Sequence, residues 1–236
     1  MFGARIKNYL LEKSRVVKVA PMERGYHVFY FLLKGASDEM LRNLFLTKTD
    51  GSRYIWKDFR YLKAGGDLPD KHDIDGFNEI QDTLKQLQFS DSQINAIWRL
   101  IAAILHLGEI EFVNNSFDDP IEPSQPGKFK NEERVDIVAK LLGYTNPMQF
   151  RKIMLQTYSK LGRDEIWKPQ GYKKCCENRD ALAKQAYNNM FNWLVKMMNV
   201  TIEPDSFNDE GFGERAKTIG LLDIFGFENF KHNNFE

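Results

Sequence analysis

The sequence predicts an α/β fold that is mostly helical and contains a few buried strands. Apolar residues recur at helical spacing through most of residues 20–200. The run 218–223 lacks alternation and is rich in Ile and Leu, which is typical of a strand buried on both faces. Strand-like apolar clusters also occur within residues 1–19. With 236 residues, the chain is long enough to bury a large core.

Composition and charge exclude several functional classes. The 33 Lys and Arg residues balance 33 Asp and Glu residues, so no global field directs the chain to nucleic acid or to an anionic membrane. The two cysteines, Cys175 and Cys176, are adjacent and cannot link distant elements, which favours a reducing compartment. The longest apolar run, 28–33, is too short to cross a bilayer. We therefore expect a cytoplasmic protein with no transmembrane segment and no nucleic-acid partner.

The first elements are predicted from changes in apolar spacing. Apolar clusters within residues 6–19 indicate a strand around a charged centre. A helical stripe follows, which Gly35 ends, and Ser37 can cap a further short helix through Leu46. The residues of the stripe are Tyr26, Phe29, Tyr30 and Leu33. We interpret this stripe as part of the core.

The middle of the chain is predicted to contain its clearest helix. Residues 47–75 show neither helical nor strand periodicity and are expected to form a packed loop. Helical spacing of apolar residues returns at residue 76. Ser90 and Gln93 then form a capping box, which opens a helix that ends at Gly108. His106 lies in the last turn, where the helix dipole favours an imidazolium. A capping or core role for this histidine and a metal or catalytic role both remain open.

The second half is predicted to be helical with two polar interruptions. The proline-containing stretch 114–130 is expected to be an exposed loop. The stretch 161–172 is expected to be a hairpin around a charged centre at 163–165. This hairpin is either simply solvated or binds a partner, since an exposed Trp167 flanked by charges favours an interface. The predicted helices are 132–142, 147–158 and a long helix that Asn178 caps and that runs to about Asn199.

Candidate chemistry is concentrated after the predicted strand at 218–223. Asp223 ends this strand before a glycine turn, which is where ligands bind in open α/β sheets. Its carboxylate can hold a hydrated Mg²⁺, and the N–H of Gly226 can approach a phosphate because glycine has no side chain. Glu228 adds a second negative charge. Ordinary turn chemistry explains the same pattern, and the chain has no G-x-x-x-x-G-K-[ST], H-E-x-x-H or paired C-x-x-C motif.

Several segments, in the right order, resemble the motor domain of myosins, and together they cover essentially the whole chain. Ile-Gly-Leu-Leu-Asp-Ile-Phe-Gly-Phe-Glu-Asn-Phe at 219–230 is similar to the switch II strand and loop, and 234–236 is similar to the start of the relay helix. Tyr-Leu-Leu-Glu-Lys-Ser-Arg-Val resembles the strand that follows switch I. The further similar segments are 23–30, the helix 100–108 that ends in His-Leu-Gly, and the start of a long helix at 179–184.

This resemblance implies a P-loop NTPase-type fold, of which the chain would contain the mostly helical upper part and a few strands of the central sheet. Residues 1–19 would be a central-sheet strand region, 20–200 a helical subdomain, and 218–230 the switch II strand and loop. We expect the chain to run from after switch I to the start of the relay helix of an unconventional myosin heavy chain. The P-loop and switch I would then lie outside it, and the isolated fragment is expected to be inactive as an ATPase.

The resemblance also implies ATP and Mg²⁺ as ligands. Asp223 would lie near the Mg²⁺, binding it through water, and Gly226 would offer its N–H to the γ-phosphate. Glu228 would pair with an arginine of switch I, closing a gate around the attacking water. These three residues are therefore the predicted catalytic residues, and the first two are the predicted cofactor-binding residues.

The hairpin at 161–172 resembles the loop through which myosins contact actin filaments. The family has a regulatory position in this loop that is either acidic or phosphorylatable, and it falls on Asp164, or on Glu165 if the alignment slips by one residue. The predicted actin-binding residues are Arg163, Asp164, Glu165, Trp167 and Lys168. Light chains of the calmodulin type would bind through regions outside this chain.

Taken with the resemblance, the sequence predicts part of an actin-based, ATP-driven motor of the cytoplasmic actin cytoskeleton. The alternative is a non-enzymatic actin-binding or interaction module that lacks ATPase activity. An unrelated, mostly helical domain would require the order of the motifs to be accidental.

Overall fold

The computed structural model describes residues 3–21, 23–66, 68–113, 127–161, 164–203 and 219–223. Two short 3₁₀ helices, Lys13–Val16 and Trp56–Asp58, lie among longer elements. Those elements are α1 His27–Gly35, α2 Asp38–Asn43, α3 Asp70–Gln86, α4 Asp91–Gly108, α5 Glu132–Leu141, α6 Pro147–Leu155, β1 Gln156–Leu161, β2 Asp164–Pro169 and α7 Tyr172–Ile202. Across these ranges no helix is both long and apolar enough to span a bilayer.

The chain separates into two compact units. The larger unit is Ile6–Thr201, and it contains the helical core and the hairpin of β1 and β2. The smaller unit comprises the described residues of Met1–Arg5 and Ile202–Glu236. In the smaller unit, the N–H of Ala4 donates to the carbonyl of Ile202 at 3.0 Å, and Arg5 forms an ion pair with Glu203.

Two helices of the larger unit begin at the serine caps that the sequence predicts. At α2, the hydroxyl of Ser37 accepts from the N–H of Met40 at 3.2 Å. At α4, Ser90 Oγ accepts from the N–H of Gln93 at 3.3 Å, and Gln93 Oε1 accepts from the N–H of Ser90 at 2.8 Å. The capping box is confirmed, because the two side chains satisfy donors that a helix start leaves without intrahelical partners.

The core is built around α4, which packs against α1 and α5, while α1 also packs against α3 and α5 packs against α6. Residues 101–108 of α4 are buried on all sides. The rings of Phe77 on α3 and Trp98 on α4 lie 4.8 Å apart. At Gly35, a Cβ would lie 2.6 Å from Cγ of Phe77. The end of α1 can therefore approach α3 this closely only because the residue is glycine.

Charged side chains centred on the buried Asp73 join Arg24 and Lys34, which flank most of α1, to α3. The carboxylate of Asp73 is fully buried and accepts three hydrogen bonds from the Arg24 guanidinium, two from Nη2 at 2.9 and 3.1 Å and one from Nη1 at 3.1 Å. Lys34 Nζ lies 3.1 Å from the same carboxylate and 2.9 Å from Asp70. Burial alone would raise the pKa of Asp73, but hydrogen bonds from Arg24 and Lys34 outweigh it and lower that pKa.

The long helix α7 closes the other side of the core through aromatic contacts. Tyr187 stacks on Tyr26 with ring centroids 4.7 Å apart. Trp193 meets the ring of Phe89, after α3, edge to face at 5.7 Å. These pairs join α7 to residues more than 100 positions earlier in the chain, so the larger unit depends on non-local packing.

Four predicted helix boundaries are wrong. The short helix expected through Leu46 ends at Asn43. The helix expected from 76 begins at Asp70, directly after Pro69 at the N-cap, and Gly76 lies inside it. The helix expected to run through 158 ends at Leu155, because the following residues pair with β2. The long helix begins at Tyr172, before Asn178, whose side-chain amide donates to Gln170 and does not cap the helix.

The strands expected at both ends of the chain are not formed within the described residues. Residues 6–19 contain a 3₁₀ helix and irregular backbone, with only Val16 and Val19 buried. Residues 219–223 carry no strand pairing, and Ile219 and Leu221 are 92% and 97% exposed. A strand requires a hydrogen-bonded neighbour, and the described ranges hold one sheet, the antiparallel pair β1–β2. Over these residues the chain is helical with this small two-stranded sheet.

Candidate functional site

The hairpin predicted at 161–172 exists, but it begins earlier in the chain. Its strands are β1 and β2, paired antiparallel from Gln156 opposite Pro169 to Leu161 opposite Asp164. It therefore stands between two helices: β1 follows α6 with no intervening residue, and α7 begins two residues after Gln170. The β1–β2 hairpin is therefore anchored between the end of α6 and the start of α7.

Gln170 holds the base of the hairpin. It is 5% exposed, and its N–H donates to the carbonyl of Leu155 at 2.9 Å. Its carbonyl accepts from the N–H of Gly127 at 2.8 Å, and its side-chain oxygen accepts from Asn178. A Cβ at Gly127 would lie 2.8 Å from the Cys175 sulfur, so only glycine fits beside this junction without displacement.

An aromatic pair joins the two strands at mid-length. Tyr158 and Trp167 are directly opposite in the register, with ring centroids 5.1 Å apart and a 52° tilt. Lys152 of α6 places its ammonium 4.0 Å from the Trp167 ring centroid. Trp167 is half-buried, so the expectation of an exposed tryptophan is corrected: Tyr158 and Lys152 cover part of its ring.

The acidic residues predicted for actin binding lie at the free end of the hairpin, and Lys168 lies near its base. Asp164 and Glu165 are exposed at the start of β2, and Lys168 is exposed further along that strand. Glu165 stands opposite Lys160 in the register and also accepts a hydrogen bond from the Tyr158 hydroxyl at 3.2 Å. Partial desolvation and the Glu165 carboxylate raise the pKa of Tyr158. Arg163 lies outside the described residues.

The segment 179–184 fastens α7 to the core next to the hairpin. Arg179 is 5% exposed and donates to the carbonyl of Ile110 at 3.0 Å and to Asp180 at 2.8 Å. The Tyr61 hydroxyl donates to the same Asp180 carboxylate at 2.6 Å. Burial, followed by the charge of Asp180, raises the pKa of Tyr61, so this phenol remains a donor. The helix that supports the hairpin therefore cannot slide without breaking buried polar contacts.

His106 has a core role, which is one of the two interpretations that the sequence left open for it, the other being a metal or catalytic role. It is fully buried; Nε2 lies 3.0 Å from the Leu44 carbonyl and Nδ1 lies 2.8 Å from Nη1 of Arg134. The Arg134 guanidinium also donates to the Tyr54 hydroxyl at 2.9 Å. Burial lowers the pKa of His106 to about 4, so the imidazolium that the helix dipole would favour is not the form at neutral pH.

Of the predicted nucleotide-site residues, the structure describes Asp223 alone. Its side chain is exposed, on backbone without strand pairing. Gly226 and Glu228 lie outside the described residues. In the ranges that the structure covers, no three His, Cys, Asp or Glu groups could hold a metal ion together. Since Mg²⁺ is commonly held by one or two carboxylates together with waters and substrate phosphates, the role of Asp223 beside Mg²⁺ stays a prediction.

Sequence reasoning missed Lys152 and Gln170, which position the hairpin. Lys152 lies within a helix expected to continue past it, so no local pattern connects it to Trp167. Residues 156–161, Gln-Thr-Tyr-Ser-Lys-Leu, do not alternate between polar and apolar, so no local pattern predicted β1 either.

The amino-acid sequence of this chain has counterparts among known proteins. A sequence model of the family described as "Myosin head (motor domain)" matches residues 1–236, the whole chain. The chain therefore belongs to the myosin head (motor domain) family. Motor activity, actin binding and nucleotide binding are attributes of this family.

Individual relatives are unconventional myosins and a myosin-I heavy chain. The chain is 37% identical over 235 residues to human Unconventional myosin-Id, an alignment that covers 99% of the chain and 22% of that protein. It is 34% identical over 236 residues to mouse Unconventional myosin-Ig, with 99% and 23% covered. It is also 34% identical over 236 residues to Dictyostelium discoideum Myosin-I heavy chain, with 99% and 9% covered. The chain thus spans less than a quarter of each relative.

Proposed function

We propose that this chain is part of the motor domain of an actin-based, ATP-driven myosin, and that its hairpin is one of the surfaces that bind the actin filament. The proposal rests on the hairpin, because it presents exposed charged side chains and is joined to a helix at each end, α6 before it and α7 after it. Family membership supplies the motor function, and Gln170, Trp167 and Lys152 keep the hairpin in place. In the cell, the protein would act on the cytoplasmic actin cytoskeleton.

Asp164 and Glu165 would bring a permanent negative charge to the filament. Both side chains are exposed at the free end, and Asp164 begins β2 at the last pair of the register. No phosphate would then be needed at this position for actin binding. Since each exposed charge contributes about 0.2–1 kcal/mol, removing both would weaken actin binding by roughly 2- to 30-fold.

The nucleotide part of the proposal concerns the other end of the chain. Asp223 would lie near the Mg²⁺ of bound ATP in the intact motor, with Gly226 at the γ-phosphate and Glu228 at the gate. Further ligands would come from parts of the protein outside this chain, as would the contacts with calmodulin-like light chains. The proposal for these residues rests on the family resemblance of the segment 219–230 and on family membership.

The test is the double substitution Asp164→Ala and Glu165→Ala in the full-length protein. We expect a higher actin concentration at half-maximal ATPase and weaker co-sedimentation with filaments in low salt, while ATPase activity without actin is unchanged. The matched control is Glu79→Ala with Asp82→Ala, two exposed acidic residues of α3, which changes the net charge equally. If the hairpin variant kept normal actin activation, the role of its charge would be refuted.

A non-enzymatic actin-binding module remains the second candidate, and one observation favours it. The described residues include both paired strands of the hairpin, whereas Asp223 stands on exposed, unpaired backbone. The two functions differ in ATP turnover by the full-length protein. Filament binding without actin-stimulated hydrolysis would select the module, and stimulated hydrolysis would select the motor.

A further inference from the structure

A cavity of about 330 Å³ lies far from the hairpin in the order of the chain, between α1, the segment 53–57 and the start of α3. Its volume falls at the lower end of the range of about 300–1,000 Å³ that is usual for small-molecule sites. Its lining residues are Tyr30, Leu33, Lys34, Arg53, Tyr54, Ile55, Trp56, Lys57, Asp70 and Ile74. No part of the proposed motor function uses this cavity.

The inner part of the cavity is aromatic and aliphatic, and its apolar wall continues to the surface. Tyr30, Leu33 and Trp56 are almost completely buried and form the floor of the cavity. Ile55 is 51% exposed and Ile74 is 39% exposed, and both line the cavity. Two large aliphatic side chains are thus left partly in water on opposite elements of one pocket. An apolar ligand body would remove their surface from water.

The lining of the cavity contains more cationic than anionic side chains. Lys34, Arg53 and Lys57 line it, together with the single carboxylate of Asp70. Lys34 is engaged by Asp70 at 2.9 Å, and Arg53 by the exposed Asp38 at 2.7 Å. Among the described residues Lys57 has no ion pair, and its ammonium lies 5.1 Å from the Trp56 ring centroid. Lys57 therefore has its charge available beside the aromatic floor.

From this combination we propose that the cavity binds a small organic acid with a compact apolar body. The apolar body would fill the space between Trp56, Ile55 and Ile74, and the carboxylate would remain at the mouth, bound by Lys57 and the outer side of Arg53. A free small molecule fits better than a peptide strand because the cavity is small and its floor is closed by buried aromatic rings. The excess of cations selects an acid over a neutral molecule of the same shape.

The test uses 2-naphthoate as the probe and 2-naphthamide as its neutral analogue, in ligand-observed NMR titrations with the full chain. Naphthoate has about 13 non-hydrogen atoms. With the binding free energy per non-hydrogen atom that is typical of drug-sized ligands, its expected Kd is on the order of 1 mM. We expect naphthamide to bind about 3-fold more weakly or worse. Lys57→Gln should reduce naphthoate binding to the naphthamide level and leave naphthamide binding unchanged, whereas Lys196→Gln on α7 should change neither.

A second variant separates binding in the cavity from binding elsewhere. Ile55→Asp removes an apolar wall and places a negative charge against the carboxylate, so naphthoate binding should fall by more than about 10-fold. Ile153→Asp is the matched control, because Ile153 is 43% exposed on α6 and does not line the cavity; it should bind naphthoate normally. Circular dichroism of each variant verifies folding. Three results would each overturn the proposal: equal affinity for the acid and the amide, naphthoate affinity that is unchanged in Ile55→Asp, or no detectable naphthoate binding at concentrations well above 1 mM.

Discussion

The buried carboxylate of Asp73 allows a sharp test of how the larger unit is stabilised. Substituting Asp73→Asn removes the charge but preserves the shape, and it leaves the Arg24 guanidinium, 8% exposed, without a counter-charge. Lys34 keeps Asp70 as a partner. Breaking one side of a buried ion pair costs about 3–5 kcal/mol. Because the amide oxygen still accepts one hydrogen bond, we expect the lower end, about 3 kcal/mol.

Urea unfolding followed by circular dichroism measures this loss. With a slope of about 3 kcal/mol per molar urea, the midpoint should fall by about 1 M. The control is Asp70→Asn, since Asp70 pairs with the same Lys34 but is 81% exposed; this variant should lose less than about 1 kcal/mol. Similar midpoints for the two variants would refute the reasoning, because burial would then make no difference to the pair.

The same carboxylate predicts a dependence on pH with a defined sign. The folded-state pKa of Asp73 lies below its unfolded value of about 3.9. Its contribution is therefore fully present above that unfolded value and is lost as the pH falls through the folded pKa. The difference in unfolding free energy between wild type and Asp73→Asn should be constant near neutral pH and shrink in acid. A difference that grows below pH 4 would contradict this assignment.

Three further predictions concern the core and the hairpin. Gly35→Ala would force a Cβ to 2.6 Å from Cγ of Phe77 and should cost about 1–3 kcal/mol in thermal unfolding, whereas Gly220→Ala, where a Cβ meets nothing within 4 Å, should be neutral. His106 has its pKa lowered from 6.5 to about 4, so stability should fall by roughly 3 kcal/mol as the pH drops across this interval. His106→Gln should flatten that part of the pH profile. Trp167→Ala should speed amide hydrogen exchange in β1 and β2 and leave α4 protected, since the substitution removes the ring that joins the strands.

In the last two of these, specific results would contradict the reasoning. An unchanged pH profile in His106→Gln would show that another group titrates over this interval. Unchanged exchange in the hairpin of Trp167→Ala would show that backbone pairing alone holds the two strands.

The features predicted correctly from sequence are those that depend on near neighbours. The Ser90 and Gln93 capping box lies within four residues, and its geometry follows from the two side chains and the helix start. The apolar stripe of α1 likewise ends at Gly35, as predicted. Such elements need no knowledge of what packs against them, so local pattern is sufficient.

The errors have non-local causes. The residues that form β1 follow a helical spacing closely enough to extend α6, and only pairing with β2 makes them a strand. Gly76 was placed at a helix start, but it lies inside α3, where a Cβ would meet the ring of Phe31 on α1 at 2.5 Å. For the hairpin, the sequence predicted its presence but placed its start at 161, whereas β1 begins at Gln156. The cover that Lys152 gives to Trp167 depends on how α6 and β2 meet.

No loop separates α6 from β1, so the hairpin is joined directly to this helix. β1 starts at the residue after α6 ends, and β2 passes through Gln170 into α7 within three residues. A pull at the hairpin tip is therefore delivered to two helices at once and is not absorbed by a loop. Because α7 has 31 residues, or about 46 Å of helix at 1.5 Å per residue, that tension would be carried along the full length of the rod to the far side of the core.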